Sequence, residues 1–323
     1  MKNSLLILAY NEEPYIYNLI KTYSSMFNEI IVVNDKSEDR TSDILLNLKN
    51  KYPNLEVINN KKNFGAGRSF EIGINQFRQS ETDYLIKIDG DNQFSKKDVL
   101  KLIQINEVGQ YDFIKCDRFW NEGIVGNIPV IRYVGNSIAS ILIKIATGNW
   151  SINDPLNGLF LMSKKSIENL KLPKFFHRYG YPYFLTIFMS RKVITENIRF
   201  GQFQNVVEYN DQKSGLNAYV LFYKLIYTTI KSFFMKIKMK LKYSELQSSS
   251  FIDIASIFSL IVSLFSFINF AFIRYGNKIG VQSSWFLTGL IFFLFFIFLF
   301  NRSQSIENSY FDKNFSKLNN DQQ

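Results

Sequence analysis

Two aspartates, one residue apart, carry the sharpest chemical signal in the sequence. Asp89 and Asp91 flank Gly90 at the end of an apolar run. Carboxylate oxygens are the hard ligands that Mg²⁺ and Mn²⁺ prefer, and a glycine lets the backbone pass close to a bound group. The single histidine and single cysteine exclude zinc sites built from those residues. The acids predict either a divalent metal site with oxygen ligands or a loop of solvated carboxylates, and their place in the fold decides between the two.

The elements that must position these acids are short apolar runs alternating with helical patterns over the first 120 residues. This alternation predicts an α/β domain whose mostly parallel sheet carries helices on both faces and binds ligands at the carboxyl ends of its strands. The apolar runs are residues 5–9, 29–33, 55–58, 84–88 and 113–115, and the clearest helical patterns are 43–51 and 66–77. Asp89 follows the fourth run directly, which favours the metal site.

Polar side chains also follow the first two strands. Tyr10 and Glu12 come after the first run, and Asp35 comes after the second. These positions share the sheet edge where a nucleotide would lie. Gly65 and Gly67 open a helix after the third strand rather than the first, so they do not form a dinucleotide-binding fingerprint.

The last quarter of the chain changes character. Residues 254–273 and 279–300 are 20 and 22 residues without a charge. Each is long enough to cross a hydrocarbon core of about 30 Å at roughly 1.5 Å per residue. The alternative, a pair of buried soluble helices, would leave little polar face for water. The short connection at 274–278 predicts a transmembrane hairpin with both flanks on one side.

The net charge of +10 is densest just before this hairpin. A basic stretch beside a membrane span favours anionic lipid headgroups over nucleic acid, and no nucleic-acid partner is expected. The positive-inside rule then places both hairpin flanks in the cytoplasm, and the aromatic and basic residues from about 216 to 243 predict a helix lying in the interface. The N-terminus is too briefly apolar for a signal peptide, so the catalytic part is also expected in the cytoplasm. The lysines of this stretch are Lys224, Lys231, Lys236, Lys238, Lys240 and Lys242.

Taken together, the ordered motifs resemble the family 2 glycosyltransferases, and most closely the dolichol- or polyprenyl-phosphate sugar transferases among them. The resemblance covers roughly residues 3–215. Asn34 and Lys36 stand where the family usually has an acid and a glycine, which leaves the base and sugar open. The segments that carry the resemblance are Ala9-Tyr10-Asn11-Glu12-Glu13, Asn34-Asp35-Lys36-Ser37-Glu38-Asp39, Asn63-Phe64-Gly65, Asp89-Gly90-Asp91-Asn92-Gln93, Asn153-Asp154-Pro155-Leu156-Asn157-Gly158-Leu159-Phe160 and Asn210-Asp211-Gln212-Lys213-Ser214-Gly215-Leu216.

The resemblance implies a GT-A fold and an inverting, membrane-bound transferase of the cell envelope that moves a sugar from a nucleotide-sugar donor to a polyprenyl phosphate. The implied organisation is a catalytic domain at 1–215, a basic amphipathic region at 216–248, the hairpin at 249–302 and a cytoplasmic tail at 303–323. The implied metal ligands, for Mg²⁺ or Mn²⁺, are Asp89, Asp91 and Gln93. The implied nucleotide contacts are Leu8, Tyr10, Glu12, Asp35 and Asp89.

On the acceptor side, a phosphate monoester is already an anion at pH 7 because its second pKa is about 6. It needs positioning more than deprotonation, which favours arginines over a general base. Arg118 and Arg132 are suitably placed, and the resemblance implies that both bind phosphate. Asp154 is a candidate for positioning the acceptor or, with a hydroxyl acceptor, for the general base; a turn-forming Asp before Pro155 is the structural alternative.

Two other functions remain open from the sequence. The first is transfer to a hydroxyl of a lipid-linked glycan, which would share the fold and the metal but require a base. The second is a non-catalytic membrane scaffold that retains the nucleotide fold. Two spans are few for a flippase, so a separate flippase partner is expected for the lipid product.

Overall fold

The computed structural model of the chain describes residues 1–118, 130–205, 218–276 and 282–318. Its sheet has eight strands in the order β3-β2-β1-β4-β6-β5-β7-β8 within those residues. Only β6 runs antiparallel to its neighbours. The strands are β1 (Asn3–Ala9), β2 (Glu29–Asn34), β3 (Leu55–Asn59), β4 (Tyr84–Asp89), β5 (Phe113–Asp117), β6 (Phe160–Ser163), β7 (Phe200–Gln204) and β8 (Phe315–Leu318).

Helices connect most of the strands, and the last three helices follow β7. The helices are α1 (Ile16–Tyr23), α2 (Thr41–Lys51), α3 (Ala66–Gln79), α4 (Lys96–Gly109), α5 (Val130–Thr147), α6 (Tyr181–Glu196), α7 (Ala218–Lys240), α8 (Ser244–Tyr275) and α9 (Gln282–Asn314). One short 3₁₀ helix spans Lys174–Phe176. The predicted α/β class with a mostly parallel sheet is confirmed, and the five predicted runs form β1 to β5.

The sheet is apolar on both faces because its strands are covered on both sides. Leu6 and Leu8 of β1 pack into one core cluster, whereas Leu5 and Ile7 pack into the other. Successive side chains of a strand point to opposite faces, so an almost uninterrupted apolar strand is buried on both.

The carboxyl ends of three strands meet at one edge of this sheet. Leu8 of β1 lies opposite Val33 of β2 on one side and Asp89 of β4 on the other. The backbone N–H of Gly90 donates to the carbonyl of Leu8 at 2.9 Å, which continues the β1–β4 ladder one step past Asp89. The predicted metal and nucleotide residues therefore share a single edge.

Helices α8 and α9 are both long and apolar enough to cross a membrane. They pack against each other along a seam of small side chains, where the Ser263 hydroxyl donates to the carbonyl of Gly289 at 2.9 Å. Their outer faces expose large apolar side chains such as Phe258 and Phe298. The predicted span 254–273 lies within α8, and α9 contains the described part of the second span.

The chain returns to the sheet after this hairpin. Helix α9 continues well past residue 302, and β8 then pairs in parallel with β7 at the sheet edge, with Phe315 opposite Phe200. The segment expected as a tail from residue 303 thus contains a structural strand. Since α7 packs against α8 and β8 belongs to the sheet, both ends of the hairpin join the same domain.

Two lysines of the basic stretch are buried at the base of the hairpin, which corrects their assignment to lipid headgroups. Lys236 Nζ lies 2.7 Å from Glu307 Oε2, and Lys240 Nζ lies 2.5 Å from Asp253 Oδ2 and also contacts Glu307. All four side chains are at most 2% exposed. We call these residues the junction cluster. The lysines Lys231, Lys238 and Lys242 remain exposed.

Candidate active site

A cavity of about 260 Å³ opens at the carboxyl edge of the sheet, beside β4. It brings Asp89 and Gln93 together with Arg118, three residues that the sequence had assigned to donor and acceptor roles. The other residues that line it are Ala66, Lys87, Phe94, Leu156, Gly158, Arg178, Tyr179, Gly180, Tyr181, Pro182 and Leu221. A larger groove of about 480 Å³ lies at the opposite end of the strands, around Lys2 and Thr82, and its lining includes none of the predicted site residues.

Asp89 is held at the floor of this cavity by a buried lysine from its own strand. Lys87 Nζ donates to Asp89 Oδ1 at 2.6 Å. Residues two apart in a strand share a face, which is why the pair forms. Burial alone would lower the pKa of Lys87, but the Asp89 carboxylate outweighs it and raises that pKa above its ordinary value. Lys87 is therefore an ammonium at neutral pH.

Asp91 lies in the turn that follows β4. Its Oδ1 accepts the backbone N–H of Gln93 at 3.2 Å, and Asn92 between them adopts a left-handed conformation with φ of 57°. Burial and the neighbouring Asp89 carboxylate raise the pKa of Asp91 to about 6. An acid whose pKa is raised by a neighbouring carboxylate is stabilised in its ionised form by a cation placed beside it.

The donor set fits a divalent metal of the Mg²⁺ type. Asp89, Asp91 and Gln93 offer only oxygen ligands on a backbone fixed by the β4 ladder. The described residues contain no group of three His, Cys, Asp or Glu side chains that could hold a metal by themselves. The remaining ligands would come from Gln93, from water or from a substrate diphosphate, as Mg²⁺ sites commonly require.

The ends of β1 and β2 form the neighbouring part of the edge, outside the cavity lining. A Cβ at position 90 would lie 2.9 Å from Cγ of Glu12, so Gly90 is needed for Glu12 to pack against the Asp89 turn. Tyr10 is 41% exposed, and the Leu8 side chain packs in the core. Nucleotide contacts by Leu8, Tyr10 and Glu12 stay predictions.

The Asp35 side chain, at the end of β2, forms hydrogen bonds that connect β2 to the turn before α3. Its Oδ1 accepts from Asn60 Nδ2 at 2.7 Å and from the Phe64 N–H at 2.9 Å, and its Oδ2 accepts from the Gly65 N–H at 2.7 Å. The side chain is only 4% exposed. A structural role for Asp35 is therefore evident, and its predicted contact with the base stays a prediction.

Residues 178–182 form one wall of the cavity. Gly65 has φ of 93°, and a Cβ there would lie 2.7 Å from the Arg178 Cα, so the start of α3 packs directly on this segment. The Arg68 N–H donates to the His177 carbonyl at 2.8 Å. Burial raises the pKa of Tyr181 to about 12, although the Lys87 ammonium opposes this shift. Tyr181 therefore keeps its proton as a cavity-lining phenol.

Arg118, which lines the cavity, forms a two-pronged ion pair with Asp154. Arg118 Nε lies 2.7 Å from Asp154 Oδ2, and Nη2 lies 2.6 Å from Oδ1. Asn157 Nδ2 also donates to Oδ2, at 3.1 Å. Burial alone would raise the pKa of Asp154, but the Arg118 guanidinium outweighs it and holds that pKa below its usual value.

Asp154 and Arg132 are the remaining predicted site residues. Asp154 is fully buried behind Arg118 and does not line the cavity. Arg132 lies in the first turn of α5, and its side chain lies outside the described part of the structure. The segments 119–129 and 206–217, which include the predicted loop at 210–216, also lie outside it.

Sequence reasoning gave no role to Lys87 or to Gly158. A lysine inside a buried apolar strand, two residues before the candidate metal ligand Asp89, is a detectable signal, because strand alternation places both on one face. A Cβ at position 158 would lie 2.5 Å from Asp89 Oδ2 and 3.1 Å from Lys87 Nζ. Gly158 therefore keeps space for the pair.

The sequence profile described as Glycosyl transferase family 2 matches residues 4–171. The chain is 28% identical over 213 residues to a dolichol-phosphate mannosyltransferase of Pyrococcus furiosus, a match that covers 64% of this chain and 55% of that protein. It is also 28% identical over 181 residues to a UDP-N-acetylglucosamine–dolichyl-phosphate N-acetylglucosaminyltransferase of Methanococcus voltae, covering 51% of this chain and 71% of that protein.

Among solved structures, the chain is similar to glucosyl-3-phosphoglycerate synthase from Mycobacterium tuberculosis in complex with UDP. The TM-score is 0.55 at 17% identity, and the match covers 72% of this chain and 79% of that one. This similarity concerns the fold, and it agrees with the GT-A arrangement that the resemblance implied.

Proposed function

The chain belongs to glycosyl transferase family 2, and from that premise we propose that it moves a sugar from a nucleoside diphosphate sugar to the phosphate of a polyprenyl lipid. The relatives named for dolichol-phosphate transfer support this acceptor class. As a glycosyltransferase the chain is an enzyme, so the scaffold alternative loses its support. The proposal concerns the acceptor, the membrane and the course of the reaction.

The observation that carries the proposal is the burial of Asp154. A general base for a hydroxyl acceptor needs an oxygen that can reach the substrate. Both Asp154 oxygens are engaged by Arg118, and the carboxylate is 0% exposed. It is therefore suited to orienting Arg118 and poorly suited to taking a proton. A phosphate nucleophile, already ionised, requires no base.

Arg118 is the residue of the pair that reaches the cavity. A guanidinium fixed on one side by a carboxylate is pre-oriented, and its planar shape matches a phosphate. Arg118 would hold the lipid phosphate with one oxygen directed at the anomeric carbon of the donor. That oxygen forms the new bond while the bond to the diphosphate breaks and the nucleoside diphosphate leaves. A single displacement of this kind inverts the anomeric centre.

On the donor side, Asp89, Asp91 and Gln93 would hold a divalent ion. When bound, such an ion stabilises the negative charge that grows on the departing diphosphate. Lys87 keeps Asp89 in place at the cavity floor. Tyr181 and Arg178 line the wall where the sugar or diphosphate would lie.

The membrane part supports a lipid acceptor. Leu221 of α7 lines the cavity and packs within 2.6 Å of where a Cβ of Gly180 would be, so the site opens beside the helix that leads into the hairpin. The exposed face of α7 carries aromatic residues such as Tyr223 and Phe234 next to exposed Lys231 and Lys238. A helix of this type is suited to an anionic membrane surface.

We further propose that the domain lies on the cytoplasmic side. Both ends of the hairpin join the same domain, and the positive-inside rule favours the side with the exposed lysines. The variants Tyr275→Cys, at the end of α8, and Ser305→Cys, beyond the second span, test this in intact cells with a membrane-impermeant maleimide. Labelling of Tyr275→Cys alone is expected, because only that position would face the outside of the cell. Native Cys116 is buried and should give little background. Labelling of Ser305→Cys alone would show the opposite orientation. The lipid product would then require a separate flippase to cross the bilayer.

The test of the activity uses the full chain in detergent with Mg²⁺ or Mn²⁺ and a panel of UDP-, GDP- and dTDP-sugars. Each donor is offered either a polyprenyl phosphate or a lipid-linked glycan as the acceptor. Transfer to a polyprenyl phosphate from at least one donor is expected. Transfer from no donor would overturn the proposal. Transfer only to a lipid-linked glycan hydroxyl would establish the alternative acceptor class.

A further inference from the structure

Lys87 is a buried charge inside the cavity to which the proposed reaction assigns no role beyond holding Asp89. Its side chain is 1% exposed, yet it belongs to the cavity lining. Nζ lies 5.7 Å from the ring centroids of Phe160 and of Tyr181, so it packs over two aromatic rings as well as against Asp89. The ammonium therefore contacts the Asp89 carboxylate and borders the cavity.

The two oxygens of Asp89 have different surroundings. Oδ1 accepts from Lys87 at 2.6 Å, whereas Oδ2 lies on the side of Gly158, where a Cβ would approach it to 2.5 Å. The Asp89 side chain is 37% exposed. One oxygen is thus committed to an internal cation, and the carboxylate as a whole remains accessible from the cavity.

A cation in this position has opposite effects on the two charged ligands of the site. It competes with a divalent metal for Asp89 and repels it, which weakens metal binding to the empty protein. It attracts the diphosphate of a donor, which strengthens nucleotide binding in the absence of metal. A lysine whose only role was to fill space would produce neither effect.

We propose that Lys87 is a positioning residue that serves as the built-in counter-ion of the donor site, orienting Asp89 and adding a permanent positive charge for the donor diphosphate. The inference rests on the proposed function, because it assigns a nucleoside diphosphate to this cavity. It predicts a site that holds its nucleotide partly without metal and binds metal well only together with nucleotide.

The test compares the full-length chain with Lys87→Met, which keeps the length and removes the charge. Mn²⁺ affinity without nucleotide is measured from the free-ion signal in electron paramagnetic resonance. UDP and GDP affinities are measured calorimetrically in EDTA. Lys87→Met is expected to bind Mn²⁺ more tightly and to bind the nucleotide more weakly, each by about tenfold, the scale of one charge-assisted hydrogen bond.

Lys192→Met is the matched control, because Lys192 is also buried and also pairs with one carboxylate, Glu196, at 2.9 Å. It should change neither constant. If Lys87→Met does not fold, Lys87→Gln provides a second neutral side chain, with the same two expected signs. Lys87→Arg keeps the charge and should stay closer to the wild type than either neutral variant.

Constants that move in the same direction, that do not move, or that move equally in Lys192→Met would overturn the inference. The Mn²⁺ measurement needs no substrate, so it judges Lys87 independently of glycosyl transfer. Failure of the wild type to bind UDP and GDP would instead count against the proposed donor class, and the Mn²⁺ shift alone would then decide the role of Lys87.

Discussion

The cavity contains one buried lysine paired with a carboxylate and the hairpin base contains two, and the two places differ in how accessible the carboxylates are. At the cavity, Asp89 remains 37% exposed while its partner Lys87 is buried. In the junction cluster, neither the lysines nor Asp253 and Glu307 reach the surface. A closed group of charges can only hold elements together, whereas a pair with one open side can meet a ligand. Burial of charge alone therefore does not mark a functional site.

The junction cluster explains how the hairpin is fixed to the catalytic part. Glu307 of α9 bridges Lys236 and Lys240 of α7, and Lys236 Nζ also donates to the carbonyl of Ile145 in α5 at 3.2 Å. Gly148 follows α5 in a left-handed conformation and leaves the space that the Glu307 carboxylate occupies. With Asp253 from α8, four helices thus meet at the cluster.

Removing one charge from the closed cluster should have the largest effect on the protein. Glu307→Gln leaves Lys236 and Lys240 with a single carboxylate, and an uncompensated buried charge costs about 3–5 kcal/mol of unfolding free energy. The variant is expected to lose its folded population, as measured by intrinsic fluorescence during heating in detergent. Exposed Glu245→Gln, also in the hairpin, should stay within about 0.5 kcal/mol of the wild type. A stable Glu307→Gln protein would show that the cluster is not a structural tie.

Removing the accessible carboxylate should act mainly on turnover. Asp89→Asn takes away the charge that would hold the divalent ion, so a loss of kcat of roughly a hundredfold or more is expected. The melting temperature should also fall, because the substitution leaves the buried Lys87 ammonium without its carboxylate, so kcat is measured at a temperature where the variant is folded. An Asp89→Asn enzyme that keeps most of its kcat would contradict the assignment of the donor site.

Asp154 is buried like the residues of the junction cluster, but its partner Arg118 lines the cavity. Replacing Asp154 should therefore change acceptor binding through Arg118. In Asp154→Asn the guanidinium loses its charged support, and KM for polyprenyl phosphate is expected to rise about tenfold, more than kcat falls. Arg118→Lys should raise KM in the same way, since an ammonium lacks the fork. Complete loss of kcat in Asp154→Asn with unchanged KM would instead identify Asp154 as a base.

The smallest expected effect is the pH dependence of the Arg118–Asp154 pair. The folded pKa of Asp154 lies below its unfolded value of about 3.9. The pair therefore contributes stability above that value and loses it as the pH falls through the folded pKa. The difference in melting temperature between wild type and Asp154→Asn should be constant from pH 7 to pH 5 and shrink only below about pH 4. A difference that shrinks near pH 6 would show that the pKa of Asp154 is not lowered.

The edge of the sheet where Asp89 and Gln93 lie could be predicted from the sequence, because apolar runs and the polar residues that follow them are local signals. The burial of Lys236 and Lys240 in ion pairs could not be predicted from the sequence. Their partners Asp253 and Glu307 come from other helices, and helical periodicity does not reveal which buried face supplies a counter-charge.

Strand β8 was missed for a related reason. It has four residues, and its pairing with β7 joins positions more than a hundred residues apart. Lys87 carried a local signal, since it interrupts an apolar strand at the position facing the same way as Asp89. The role of Asp154 depended on the direction of the Arg118 side chain, which no sequence pattern specifies.

The most direct test of the central claim compares two acceptors that differ only in the phosphate. The purified chain is given its donor, Mg²⁺ or Mn²⁺, and either a polyprenyl phosphate or the polyprenol of the same length, and the glycolipid products are separated and quantified. Sugar transfer to the polyprenyl phosphate and none to the polyprenol is the predicted result, because Arg118 lines the cavity where it can hold an anion, whereas the candidate base Asp154 is buried. Equal or faster transfer to the polyprenol would contradict it.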